Sequence, residues 1–131
     1  TILIEGDCAI GHMDDEIIHR VLVNLIGNAI RASLPDTDVI VRTIDSETDI
    51  VVEVEDSGCG MSEELLSTIF DRFSTAEQGR HSRKASVGLG LAFCKLAIEM
   101  HHGEISVVSA EGKGSTFRFQ LPKSISEQMQ Q

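Results

Sequence analysis

The chain has 131 residues, enough for one domain that buries its core without disulfides or structural metal. Its formal net charge of −10 argues against nonspecific binding to nucleic acid or to an anionic membrane. Three cysteines, Cys8, Cys59 and Cys94, are an odd number without CxxC spacing, so they read as reduced cytoplasmic thiols, not as a disulfide frame or zinc site.

No apolar run approaches the roughly 20 residues of a membrane span, and no signal peptide opens the sequence. Residues 1–4 are strand-like and begin abruptly, as expected of a piece cut from a larger protein. A helix follows over residues 14–31, where Ile17, Val21, Leu22, Leu25, Ala29 and Ile30 mark an apolar face. Asn24, Asn28 and Arg31 form a second stripe, roughly a quarter turn from the centre of that face. Two carboxamides and a guanidinium on the rim of a buried surface suit an anionic ligand and its metal ion. A capping or surface role is the plain alternative, although asparagine is a poor helix-interior residue.

Pro35 and Asp36 make a turn, and residues 38–44 and 50–55 alternate as two strands joined by a polar hairpin loop. Ile50, Val52 and Val54 point one way and Glu53 and Glu55 the other. After the glycine turn at 56–60, Ser62 can cap a short helix whose first turn carries Glu63 and Glu64. Residues 74–87 show no periodicity and read as a mobile lid or binding loop. Four of the eleven basic residues, Arg72, Arg80, Arg83 and Lys84, crowd this region. Gly88-Leu89-Gly90 then opens a helix that Gly103 closes, and strands follow at 104–109 and 116–121. In the last strand Phe117, Phe119 and Leu121 alternate against Thr116, Arg118 and Gln120. The strands and helices do not alternate strictly. The expected class is therefore α+β, a two-layer α/β sandwich with a mixed sheet of about five strands, three helices on one face and a mobile lid. Residues 1–122 form the domain, and 123–131 a polar tail.

Taken singly, the motifs are weak. In Asp56-x-Gly58-x-Gly60, an aspartate after a strand can accept a hydrogen bond from an exocyclic amine, and the glycines admit a flat ring. A dinucleotide fingerprint would need a glycine where Glu63 stands, and a calcium loop a glutamate where Ser67 stands. Gly88-Leu89-Gly90-Leu91 places backbone N–H groups at a helix start, a phosphate site. Gly112-Lys113-Gly114-Ser115-Thr116 reads first as a hairpin turn.

Their order is specific. Asn24-x-x-x-Asn28-Ala29, Asp56-x-Gly58-x-Gly60, Phe70-x-x-Phe73, Gly88-Leu89-Gly90-Leu91 and Gly112-x-Gly114-Ser115-Thr116-Phe117 follow one another as in the catalytic and ATP-binding domain of sensor histidine kinases, which this sequence resembles. That family belongs to the superfamily shared with DNA gyrase, Hsp90 and MutL. The resemblance implies ATP and Mg²⁺ as ligands. Asn28 would ligate the ion; Asn24 and Arg31 would lie beside the phosphates, and Asp56 would read the adenine amine. Gly58 and Gly60 would admit the ring, Met61 and Ile69 would line its pocket, and Thr116 would contact its side of the site. Gly88, Leu89, Gly90 and Leu91 would form the phosphate loop, with Phe70 and Phe73 anchoring the lid.

Three departures qualify the transfer. Ser86 stands where a glycine is expected, Thr75 where a basic residue is common, and no histidine precedes an acidic residue. A phosphate clamp then falls to Arg80, Arg83 or Lys84, and the acceptor histidine to a separate dimerisation domain. By the resemblance the partners are that phosphoacceptor domain and a response regulator receiver, not nucleic acid. The isolated chain is expected to be a monomer, cytoplasmic even if its parent is membrane-anchored. The rival readings are a gyrase- or Hsp90-like ATPase, an anti-sigma-factor-type serine kinase, a mitochondrial-type kinase of the superfamily, and a degenerate ATP-sensing module.

Overall fold

A computed structural model describes residues 2–6, 15–71 and 82–123. In chain order these form β1 (Ile2–Gly6), α1 (Asp15–Ala32), β2 (Val39–Asp45), β3 (Asp49–Asp56), α2 (Glu63–Leu66), α3 (Ser82–Met100), β4 (Glu104–Ser109) and β5 (Ser115–Pro122). The strands make one mixed sheet in the order β1-β2-β3-β5-β4, parallel only between β1 and β2. A parallel pair needs a crossover connection, and α1 supplies it. The expected five-stranded mixed sheet is the one observed.

The helical face of the sheet carries Val39, Val41, Ile50, Val52, Val54, Phe117, Phe119 and Leu121, all buried. Against it α1 lays Ile18, Val21, Leu25 and Ala29, and α3 lays Leu91, Cys94, Ala97 and Ile98. The buried stripe of α1 differs from the expected one, with Ile17 and Leu22 only partly buried. Ile18 is in the core at 6% exposure, whereas Ile30 is 52% exposed. At 100° per residue, Ile30 lies about 130° from the centre of the stripe and so turns to solvent. The opposite face of the sheet is held in water by ion pairs. Arg42 meets Glu55 at 2.7 Å and Arg118 meets Glu53 at 3.7 Å, contacts worth at most about 1 kcal/mol each.

Ser62 caps α2 as expected, its hydroxyl accepting from the Leu65 N–H at 3.2 Å. Beyond this single turn, Phe70 meets Phe117 edge-to-face at 6.2 Å, so it anchors the segment to the core. Two expectations change. Helix α3 begins at Ser82, so residues 82–87, read as part of the lid, are helical. A glycine costs only about 1 kcal/mol in a helix, and Gly90 sits between two leucines, which are good helix formers. Lys123, assigned to the tail, is tied to the β2–β3 hairpin: its Nζ bonds Asp45, and its N–H donates to the Thr48 carbonyl at 2.9 Å. Residues 72–81 and 124–131, with most of the proposed lid, Phe73 and Arg80, lie outside the described residues.

Phe119→Ala, at 1% exposure, is expected to cost about 3–5 kcal/mol of folding free energy. Val108→Ala, at 76% exposure, is expected to stay within about 0.5 kcal/mol of the parent. Urea denaturation of both variants checks the layering.

Candidate functional site

The rim of α1 carries the stripe the sequence marks. Asn24 and Asn28 are half-buried and Arg31 is exposed. The Arg31 guanidinium donates to Asn28 Oδ1 at 2.5 Å, which fixes the orientation of the carboxamide. Asn28 Nδ2 is then buried without a hydrogen-bond partner among the described residues. An unpaired buried donor costs about 1–3 kcal/mol, a defect that a ligand oxygen would relieve.

Helix α3 closes over Asn24. A Cβ built on Gly90 would stand 3.3 Å from Asn24 Oδ1 and 3.4 Å from its Cγ, so only glycine lets the two helices meet there undisturbed. One turn further along α3, the Cys94 S–H donates to the Val21 carbonyl at 3.8 Å, with the Asn24 carboxamide placed to donate toward the sulfur. Burial pushes the Cys94 thiol up to about 12, and the bond from Asn24 opposes the rise. Cys94 is thus an inert strut behind Asn24, a role the sequence reading missed.

Asp56 ends β3 at 4% exposure, with its Oδ1 accepting from the Gly58 N–H at 2.9 Å. Burial raises its carboxyl above the ordinary value; the N–H groups of Gly58 and Ser115 pull it back, and the charge of Glu55 adds to the rise. Opposite it in the β3–β5 ladder stands Ser115, also buried at 7% exposure. Thr116, expected to contact the adenine side, pairs instead with Glu55 and belongs to the opposite face of the sheet. Side chains alternate along a strand, so Ser115 shares the inward phase of Phe117, Phe119 and Leu121. That alternation was already visible in the sequence.

The glycines after Asp56 also have a packing role. A Cβ on Gly58 would lie 2.3 Å from the Ala32 carbonyl oxygen, and one on Gly60 (φ +75°) 2.0 Å from that of Ala110. They are small so that the turn can wedge between the end of α1 and the β4–β5 hairpin. Ile69 belongs to the core, and Met61 packs against the same cluster.

Gly88, Leu89, Gly90 and Leu91 fall inside α3, not at its start. Interior helix amides bond the carbonyl four residues back, so the helix-end anion site expected at Gly88 is not present in this arrangement. Leu91 is a core residue at 1% exposure. Arg83 and Lys84 lie in the first turn of α3.

Among the described residues, no group of three His, Cys, Asp or Glu could hold a metal. The Asn28 carboxamide oxygen is of the type that ligates an ion drawing its other ligands from phosphate and water, as Mg²⁺ does. No described helix is long and apolar enough to cross a membrane. A cavity of about 260 Å³ bounded by Lys95, Glu99, Glu104 and Arg118 contains none of these site residues, and its opposite charges offset one another.

The ionised Asp56 costs stability as pH rises above its unfolded value of 3.8, because its folded carboxyl titrates higher. Asp56→Asn is expected to melt above the parent at about pH 7, with the gap closing as pH falls toward that value. Thermal melts across pH measure this. A thiol reagent is expected to label the exposed Cys59 in the native chain and to reach Cys94 only on unfolding, as peptide mapping would show.

The family model described as histidine kinase-, DNA gyrase B- and HSP90-like ATPase matches residues 13–125. Sensor protein KdpD of Clostridium acetobutylicum is 35% identical over 124 residues, covering 95% of this chain and 14% of its own length. Sensor protein SrrB of Staphylococcus aureus is 39% identical over 110 residues, covering 84% of this chain and 19% of its own. The chain spans less than a fifth of the length of these relatives. Among solved structures, the nucleotide-free catalytic domain of the histidine kinase ThkA superposes with a TM-score of 0.79 at 32% identity, over 93% of this chain and 79% of that one. With the asparagine rim on α1, the buried Asp56 and the mixed sheet behind them, the chain belongs to the histidine kinase-, DNA gyrase B- and HSP90-like ATPase family.

Proposed function

We propose that the chain is the ATP-binding catalytic domain of a two-component sensor histidine kinase. It binds Mg-ATP in the cytoplasm and donates the γ-phosphoryl group to a histidine on a separate dimerisation domain, for relay to a response regulator. The carrying observation is the carboxamide at position 24, held against α3 by Gly90 and Cys94. The water-activating base of the ATPase members of the superfamily is a glutamate at this position, and a carboxamide cannot take a proton from water. Phosphoryl transfer to an external nucleophile needs positioning and charge neutralisation instead, which this set of residues can supply.

In this reading Asp56 accepts a hydrogen bond from the adenine amine, with Ser115 beside it. Asn24 and Asn28 face the phosphates, and the orphaned Asn28 Nδ2 finds its acceptor there. Bound Mg²⁺ neutralises phosphate charge. Asn28 Oδ1, which the Arg31 guanidinium now bonds, would hold the ion. Arg31, with Arg80, Arg83 or Lys84, then supplies positive charge toward the phosphates. The attacking imidazole comes from the partner domain.

Incubation with ATP, Mg²⁺ and a histidine-bearing dimerisation domain of a sensor kinase tests this. The expected product is acid-labile phosphate on the acceptor, with slow hydrolysis when the acceptor is left out. Stoichiometric labelling of this chain, or fast multiple-turnover hydrolysis, overturns the reading. Asn28→Ala and Asp56→Asn are each expected to weaken Mg-ATP binding roughly tenfold or more by calorimetry. Gly90→Ala is expected to stay within about 1 kcal/mol of the parent in stability, yet to slow transfer by pushing the Asn24 carboxamide aside.

A further inference from the structure

We infer that Ser109, which lies outside every motif named above, sets the base specificity of the site. Its hydroxyl holds Ser115 as a hydrogen-bond acceptor beside Asp56, so that a 6-amino purine is favoured over a 6-oxo purine. The inference rests on the reading that the Asp56 end of the site takes the base.

Ser109, Ser115 and Asp56 form one row across three strands. Ser109 pairs with Ser115 in the β4–β5 ladder, and Ser115 with Asp56 in the β3–β5 ladder. The Ser109 hydroxyl has three partners. The Met61 N–H reaches it at 2.9 Å, and the Gly114 carbonyl and the Ser115 hydroxyl each lie 2.8 Å away. A hydroxyl has one proton and two lone pairs. Met61 N–H can only donate and the Gly114 carbonyl can only accept. All three contacts are satisfied in one arrangement: Ser109 gives its proton to Gly114, and accepts from both Met61 and Ser115. Ser115 has then spent its proton and offers only lone pairs.

Asp56 and Ser115 are 4% and 7% exposed, so water screens neither of them well. Two neighbouring acceptors suit an exocyclic amine, which brings two N–H groups. A 6-oxo oxygen in the same place meets two acceptors and no donor. Removing the Ser109 oxygen frees the Ser115 proton, and Ser115 becomes able to donate to that oxygen.

The test is calorimetric titration of the chain with ADP and with inosine diphosphate, both with Mg²⁺, alongside thermal melts. The parent is expected to prefer ADP. Ser109→Ala is expected to lose roughly tenfold of that preference, partly through tighter binding of inosine diphosphate. Ser109→Thr keeps the hydroxyl and is expected to keep the preference. Ser115→Ala is expected to lose preference through weaker ADP binding alone. A Ser109→Ala chain with a lower melting temperature and an unchanged ADP-to-inosine-diphosphate ratio overturns the inference, leaving Ser109 a packing residue. If Ser109→Ala does not fold, an unchanged ratio in Ser115→Ala overturns it equally. A parent chain that binds neither nucleotide overturns the base-site reading itself, a result distinct from binding without discrimination.

Discussion

Burial of the stripe Ile18, Val21, Leu25 and Ala29 on α1 is the constraint from which the rest follows. Val21 and Leu25 retain no solvent exposure, and each such side chain contributes about 1.5–3 kcal/mol through burial. Once that stripe is pinned to the sheet, the rotation of the helix leaves no freedom for its other residues. Ile30 must face water, and Asn24 and Asn28 must stand at the edge of the core. Asn24 then meets α3, where the missing side chain of Gly90 and the thiol of Cys94 receive it. A polar group at the junction of two helices is thereby held in place by packing.

Among the described residues, two buried polar groups are left short of compensation, and both lie in the candidate site. Asn28 buries an amide donor with no acceptor among the described residues, and burial raises the Asp56 carboxyl more than its hydrogen bonds lower it. Apolar residues fill the inner face, and charges pair across the outer one. Such departures concentrate where a protein gives up stability for binding. Here one end suits an anion and the other an amine. A nucleotide carries both, which is why the two defects read as one site.

Much of the fold was legible because the signals are local. Alternation located β2, β3, β4 and β5 to within a residue or two, and helical spacing located α1. The N-cap of α2 could be read from Ser62 and the two glutamates after it. The start of α3 could not, because glycines permit a helix end without imposing one, and the segment before them has no periodicity. Thr116 was a different kind of miss. The alternation of β5 already placed it out of phase with Phe117, but the resemblance drew attention to the motif rather than to the phase. The glycines after Asp56 have a packing reason that the motif did not show. They accommodate backbone carbonyls of Ala32 and Ala110, neighbours that no local pattern could reveal.

By itself the sequence determined which residues are inward or outward along each strand, which helix carries the asparagines, and which family the ordered motifs resemble. Those properties depend on spacing within one element. Only the tertiary structure decided which atoms converge. Cys94 reaches Val21 across 73 residues, and Met61 reaches Ser109 across 48. Ser109, Ser115 and Asp56 share a row because strand register aligns them. Register and helix packing are set by the summed burial of the whole core, so no segment read alone contains them.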